Sequence, residues 1–157
     1  MSNEPNNDVI DRAAGLAPGD ALHAARRLRA TVVDATQASH DALLNEPVAG
    51  LSTADRLRVA VHCCHAAGAP TLAAHYLALL QAQHTVQASP ALPAMLAWAA
   101  TLTSEPRRGD RAAVQALKDA GLDDAAIVAL AQLVAFLSYQ TRVVAGLKAM
   151  RDEGAAR

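Results

Sequence analysis

The chain has 157 residues, of which 52% are hydrophobic, 18% charged and 3% aromatic, and its formal net charge is −1 at pH 7. This length fits one domain, and the high apolar content with little charge excludes a largely disordered chain. A net charge close to zero removes the electrostatic argument for nucleic acid or an anionic membrane as a partner. Abundant alanine and scarce aromatic residues favour helices over strands.

The sequence predicts neither a secretory leader nor a membrane span. The first dozen residues are polar, and the longest nearly apolar run, Ala125 to Leu137, is shorter than the ~20 residues that a bilayer span needs. Cys63 and Cys64 are adjacent, so their Cα atoms lie too close for a relaxed disulfide. We therefore expect a soluble cytoplasmic protein with reduced thiols.

Capping side chains, prolines and glycines mark the predicted helices. In chain order, the sequence predicts a frayed tail over residues 1–7, a short helix from Asp8 to Leu16, and longer helices from Asp20 to about Leu44, Ser52 to Gly68, Pro70 to about His84, Pro93 to beyond Leu102, Asp110 to Gly121 and Asp123 to about Asp152. The first half of the last helix is apolar on nearly all sides, which is typical of a buried helix. The prediction is an all-α, single-domain bundle of six or seven helices.

Two stretches carry a resemblance to a known superfamily. The first begins with LSTADRL at residues 51–57 and continues through Gly68 to His75 as a helix pair. The second is AGLDDAAI at residues 120–127 followed by AFLSYQTRV at residues 135–143, which is similar to the pattern G-L-[ST]-[DE]-x-x-I … F-x-N-Y-x-N-R. In this order they resemble the AhpD-like superfamily of alkylhydroperoxidases and carboxymuconolactone decarboxylases (CMD), especially its peroxidase-related members.

That resemblance implies an architecture and a set of partners. Residues 20–157 would form the AhpD-like (CMD) domain, preceded over residues 1–19 by the tail and the short helix. Members of the superfamily assemble as trimers, hexamers or dimers, so the resemblance implies a homo-oligomer. It also allows an active peroxidase-related homologue as a partner. We expect no nucleic-acid partner and no membrane partner.

The redox motif of the superfamily is missing from this chain. Redox-active members carry Cys-x-x-Cys at the start of the second helix of the pair, because one thiolate attacks the peroxide and the other resolves it as a disulfide. The corresponding positions here are Ala69 and Leu72, or Gly68 and Thr71 if the register shifts by one residue. The upstream Glu of their proton relay corresponds to Leu57. The sequence therefore predicts no thiol peroxidase activity.

Three other residues match the superfamily better. Leu72 to His75 resembles the L-x-x-H of the decarboxylase branch, which makes His75 the candidate general acid or base. Tyr139 and Arg142 lie at i and i+3 on one helix face, and the resemblance suggests that they bind an anionic or peroxidic ligand near His75. The structural alternatives are a histidine packed between helices and a polar cluster that ties the last helix to the core.

The run His62-Cys63-Cys64-His65 raises two further hypotheses. Cys63 or Cys64 could be a displaced peroxidatic thiol with a histidine that lowers its pKa, although adjacent cysteines resolve each other poorly. On a helix the two histidines share a face, whereas the thiols point ~100° and ~200° around from His62, so the four side chains do not converge on one ion. We therefore expect no metal and no cofactor.

Three functions remain open at this point. The chain could be an AhpD-like ligand-binding or partner module without thiol peroxidase activity, or a cofactor-free decarboxylase or lactone-type enzyme that uses His75, with Arg142 near a substrate carboxylate. It could also be an antioxidant hydroperoxidase that uses Cys63 or Cys64, which the missing Cys-x-x-Cys disfavours. If the chain is an enzyme, we expect a CMD-like one rather than a peroxidase. A single histidine does not decide between the first two functions.

Overall fold

The computed structural model describes residues 8–83 and 87–155, and over these ranges it contains helices and no strand. The helices are α1 (Val9–Ala14), α2 (Ala21–Arg27), α3 (Ala30–Asn45), α4 (Thr53–Ala66), α5 (Pro70–Ala82), α6 (Leu92–Ser104), α7 (Arg111–Asp119) and α8 (Asp124–Ala155), with a turn of 3-10 helix at Pro106–Arg108. The predicted all-α fold is confirmed. The predicted tail over residues 1–7 and the predicted helix end at His84 lie outside the described residues.

Helix boundaries that depend on local chemistry agree with the prediction. The hydroxyl of Ser52 accepts a hydrogen bond from the backbone N–H of Asp55 at 3.1 Å. The carboxylate of Asp110 accepts two backbone N–H groups at 2.9 and 3.0 Å, and that of Asp123 accepts one at 2.8 Å. Gly68, with φ +64°, follows the end of α4 in the left-handed conformation that glycine adopts without strain. Each of these four helix ends is therefore determined by a residue that lies within one turn of it.

The single helix predicted from Asp20 to about Leu44 is two helices. The chain turns at Leu28 and Arg29, where Arg29 has φ −116° and ψ 65°, outside the helical region. Asp20 precedes α2 but makes no capping hydrogen bond to it; its carboxylate instead accepts the N–H of Ala17 at 2.7 Å. The prediction failed here because helix propensity is uninterrupted across the turn.

An ion-pair cluster just before that turn explains where α2 lies. Arg26 donates to Asp11 at 2.7 Å and to Asp8 at 3.2 Å, and Arg27 donates to the other oxygen of Asp11 at 2.6 Å. The side chain of Asp11 is completely buried. These contacts fasten α2 to α1, while α3 packs on α4 and α8. Because α2 is held by α1 and α3 is held by α4 and α8, the chain bends between α2 and α3.

One hydrophobic core joins the helices. Helix α4 packs against α5, α6 and α8, and α1 packs against α8 and α5. Large, fully buried apolar side chains at its centre come from six helices and one connecting segment: Ile10, Leu51, Leu57, Leu72, Met95, Leu117, Leu130, Leu133 and Leu137. Helix α1, which lies before the predicted domain of residues 20–157, therefore contributes to the same core.

Helix α8 is long and apolar enough, by length and composition alone, to cross a membrane, and it is the one such helix in the described ranges. Its longest nearly apolar run is too short to predict a membrane span from the sequence, because polar residues interrupt its apolar stretches. In the fold α8 packs against α1, α3, α4 and α6. A helix that is apolar on most sides and packed by several neighbours is typical of the centre of a helical bundle.

Candidate functional site

His75, the candidate acid or base, lies on α5 and lines a cleft of 210 Å³. The cleft is bounded by α1, α3, the first turns of α4, and α5. Its apolar lining is Val9, Leu44, Leu57 and Leu79; its polar lining, besides His75, is Arg12, Gln37, His40, Asp41, Asn45, Thr53 and Gln83. A cleft with an apolar part and several polar groups suits a small organic molecule.

A second histidine, which the sequence did not single out, lies beside His75. The Nε2 atoms of His40 on α3 and His75 on α5 are 3.4 Å apart. His40 is buried, and its Nδ1 lies 2.9 Å from Oδ1 of Asp41. The side chain of Asp41 is 53% exposed, so the three groups form a series from the solvent to the cleft.

Neighbouring side chains hold this series in place. Gln37 donates to Oδ1 of Asp41 at 2.9 Å, and its own Oε1 accepts the backbone N–H of Val9 at 3.0 Å, which connects α3 to α1. The ring of Tyr76 stacks on that of His40 with centroids 5.9 Å apart. The orientation of His40 is therefore fixed both by hydrogen bonds and by packing.

The environment of His75 favours its neutral form. Burial lowers the pKa of His75 from 6.5 to about 4, and the neighbouring His40 and Arg12 act in the same direction. At pH 7 the ring is uncharged and one of its nitrogens carries a lone pair. His75 can accept a hydrogen bond or a proton from a molecule in the cleft.

Tyr139 and Arg142 do not line this cleft. The hydroxyl of Tyr139 lies 3.3 Å from that of Thr36, in a groove between α2, α3 and α8. Arg142 is exposed and lines a separate depression with residues near the ends of α4 and α6. The two residues lie about one turn apart on α8 but line different depressions, and neither lines the cleft at His75. The structure therefore separates both residues from His75.

The two cysteines lie inside the core on α4. Cys63 is 2% exposed and Cys64 is not exposed at all. Burial raises the pKa of both thiols, that of Cys64 to about 12; Thr103, which donates to the sulfur of Cys63 at 3.7 Å, only partly opposes the rise at Cys63. Because the thiolate is the nucleophile, these conditions oppose a reaction with peroxide.

His62 and His65 stand apart from the cleft. His65 is exposed, whereas Nε2 of His62 is buried without a hydrogen-bond partner. Among the residues that the structure describes, no group of three or more His, Cys, Asp or Glu side chains is placed to hold a metal ion. Neither histidine adds a ligand to the His40 and His75 pair.

A weak signal for His40 was present in the sequence. Gln37, His40, Asp41 and Leu44 recur at the spacing of one helix face. Such a polar face is usually solvated, and nothing local indicates that it points toward a histidine 35 residues further along the chain. Only the packing of α3 beside α5 identifies it as part of a site.

Comparison with known proteins supports the fold. No protein-family model matches the sequence, and no curated protein matches it. The structure is similar to the crystal structure of an uncharacterised peroxidase-related protein from Silicibacter sp. TM1040, with a TM-score of 0.58 and 20% sequence identity over 88% of this chain and 78% of that one. At this identity the likeness concerns the fold alone, and it agrees with the all-α, single-domain helical bundle described above.

Proposed function

We propose that the chain is an AhpD-like protein without thiol peroxidase activity, which binds a small organic molecule in the cleft at His75. His75 serves there as an acceptor of a hydrogen bond or a proton, as in a cofactor-free, CMD-like reaction. The observation that carries this proposal is the pairing of His75 with the buried His40, their Nε2 atoms 3.4 Å apart, at the wall of a 210 Å³ cleft.

The composition of the cleft supports a small molecule rather than a macromolecule. Leu44, Leu57 and Leu79 offer an apolar surface, and Asn45 and Thr53 offer neutral hydrogen-bonding groups. The volume accommodates a compact ring or a short chain. A few convergent polar groups against an apolar wall, next to a histidine with a perturbed pKa, are typical of binding and catalytic sites.

The burial of the thiols supports the absence of peroxidase activity. A peroxidatic cysteine needs an accessible thiolate and a resolving thiol, and Cys63 and Cys64 lie buried side by side on one helix. His75 does not contact either of them through any hydrogen bond in the described part of the chain. The cleft and the thiols are therefore separate features.

Two measurements test the proposal. Mass spectrometry before and after one equivalent of an organic hydroperoxide should find both thiols reduced, and peroxide should persist with and without a dithiol reductant. Rapid, reversible oxidation of one thiol would overturn the absence of peroxidase activity.

The second measurement concerns the cleft. NMR spectra of protein labelled at the histidine rings are recorded with a panel of small phenols, lactones and carboxylic acids, after dialysis against a chelator. We expect some compounds to shift the His75 resonances and to lose affinity in His75→Gln but not in His65→Gln, an exposed histidine on α4. If compounds bind equally to both variants, His75 is not part of the binding site.

A further inference from the structure

The hydrogen bonds around His40 select one tautomer of that ring. Oδ1 of Asp41, an acceptor, lies 2.9 Å from Nδ1 of His40, so Nδ1 carries the proton. Gln37 lies 3.4 Å from the same nitrogen, but its amide donates to Asp41 at 2.9 Å, which is the shorter and better contact. In a neutral His40 ring the lone pair is then on Nε2.

The tautomer of His40 in turn selects that of His75. Nε2 of His40 points at Nε2 of His75 across 3.4 Å, and two lone pairs would repel each other at that distance. His75 therefore carries its proton on Nε2 and donates it to His40. The lone pair of His75 is left on Nδ1, and this atom makes no hydrogen bond with the described residues.

We propose that Asp41 and His40 are positioning residues that hold His75 in the Nε2–H tautomer, so that Nδ1 of His75 receives the hydroxyl of a neutral ligand such as a phenol or an enol. This inference rests on the proposed function, since it names the ligand chemistry of the same cleft. A carboxylate has no proton to offer the lone pair on Nδ1, so the site discriminates against anions at this atom.

The proton transfer that this arrangement permits is balanced. The O–H bond of the ligand breaks and an N–H bond forms at Nδ1, which yields the ligand oxyanion and an imidazolium at His75. The Nε2–H of the imidazolium stays hydrogen-bonded to the lone pair of His40, and the negative charge of Asp41 lies behind His40. No oxidant, reductant or metal enters this step.

The charged and titratable groups around His75 come from three helices. Burial, His40 on α3 and Arg12 on α1 all lower the pKa of His75, whereas Asp41 on α3 contacts His40 and not His75. Tyr76, the next residue on α5, holds its ring 5.1 Å from that of His75, and burial raises the pKa of Tyr76. Tyr76 is therefore neutral, and the tautomer of His75 is set mainly by His40 and Asp41.

The test uses the 157-residue, 15N-labelled chain at pH 7 and two variants on α3, Asp41→Ala and the control Asp34→Ala. Both aspartates are exposed and alanine favours helices, so both variants should fold. Long-range proton–nitrogen spectra report which ring nitrogen is protonated, and His75→Gln and His40→Gln assign the signals. The ligand probes are phenol, which has a hydroxyl proton to donate, and anisole, in which a methyl group replaces that proton.

In the wild-type protein and in Asp34→Ala we expect His75 protonated at Nε2, and phenol bound about fivefold more tightly than anisole, the worth of one hydrogen bond. In Asp41→Ala we expect both tautomers of His75 and a preference for phenol below twofold. A merely structural role of Asp41 would leave the tautomer unchanged.

Two results would overturn the inference: a proton on Nδ1 of His75 in the wild-type protein, or an unchanged tautomer in Asp41→Ala. If phenol and anisole bind at His75 equally well, the hydroxyl-bearing ligand class is wrong although the binding cleft of the proposed function survives. If the tautomer switches as expected but neither probe nor any compound of the panel binds, the proposed function fails and the positioning role of Asp41 stands.

Discussion

The hydroxyl of Tyr76 on α5 donates a 2.5 Å hydrogen bond to Oε1 of Gln140 on α8, and both side chains are almost completely buried. This bond crosses the core directly behind the histidine pair, since the ring of Tyr76 stacks on His40. It fixes α5, which carries His75, against the central helix of the bundle. The position of the cleft therefore depends on a polar contact deep inside an apolar core.

Tyr76→Phe should lower the free energy of unfolding by about 1–3 kcal/mol, because it leaves the carbonyl of Gln140 buried without its donor. The double variant Tyr76→Phe with Gln140→Met should lose less than the sum of the two single variants, because both polar groups are then gone. Urea unfolding of the four proteins measures this. Additive losses would show that the hydrogen bond contributes little.

Stability should fall as the pH falls from about 6.5 to about 4, in part because of His75. Above pH 6.5 the ring is neutral in both the folded and the unfolded chain; below it the unfolded chain binds a proton that the folded protein takes up only near pH 4. Partial exposure of the ring reduces the effect, so we expect a contribution of about 1–2 kcal/mol.

Comparison of wild type with His75→Gln isolates this contribution, since the other titrating groups are common to both proteins. Urea unfolding at pH 7 and pH 4.5 should show a smaller loss in the variant. A loss of equal size in the two proteins would mean that His75 is protonated equally in the folded and unfolded states.

Arg12→Gln should raise the pKa of His75 slightly toward its ordinary value, since one nearby positive charge is removed. The increase stays small because burial is the larger cause of the low pKa. NMR titration of the ring measures it, and Arg29→Gln, an exposed arginine outside the cleft, serves as the control. An equal shift in both variants would argue against a local role of Arg12.

Asp11→Ala should destabilise the protein by about 3 kcal/mol, since it leaves Arg26, which is only 10% exposed, with one fewer buried carboxylate. Amide exchange in α1 and α2 should also become faster than in the rest of the protein. Glu105→Ala removes a surface ion pair with Arg108 and should change stability by less than about 0.5 kcal/mol. Similar effects of the two substitutions would show that burial of the Asp11 cluster adds nothing.

The helical class and most helix ends can be predicted from the amino-acid sequence alone. Low aromatic content and abundant alanine disfavour strands, and Ser52, Asp110 and Asp123 act on backbone groups within their own first turn. The absence of a Cys-x-x-Cys motif is likewise evident from the sequence. Such features are local, so a single sequence is sufficient to find them.

The turn at Leu28 and Arg29 and the composition of the cleft depend on contacts between distant parts of the chain. The turn follows from ion pairs with α1, and the cleft joins His40 to His75 over 35 residues of chain. Tyr139 and Arg142 lie about one turn apart on α8, but which neighbours each of them meets depends on how α8 packs. Helix periodicity fixes which side chains lie together on one helix, whereas the packing of helices determines which of them meet a neighbour.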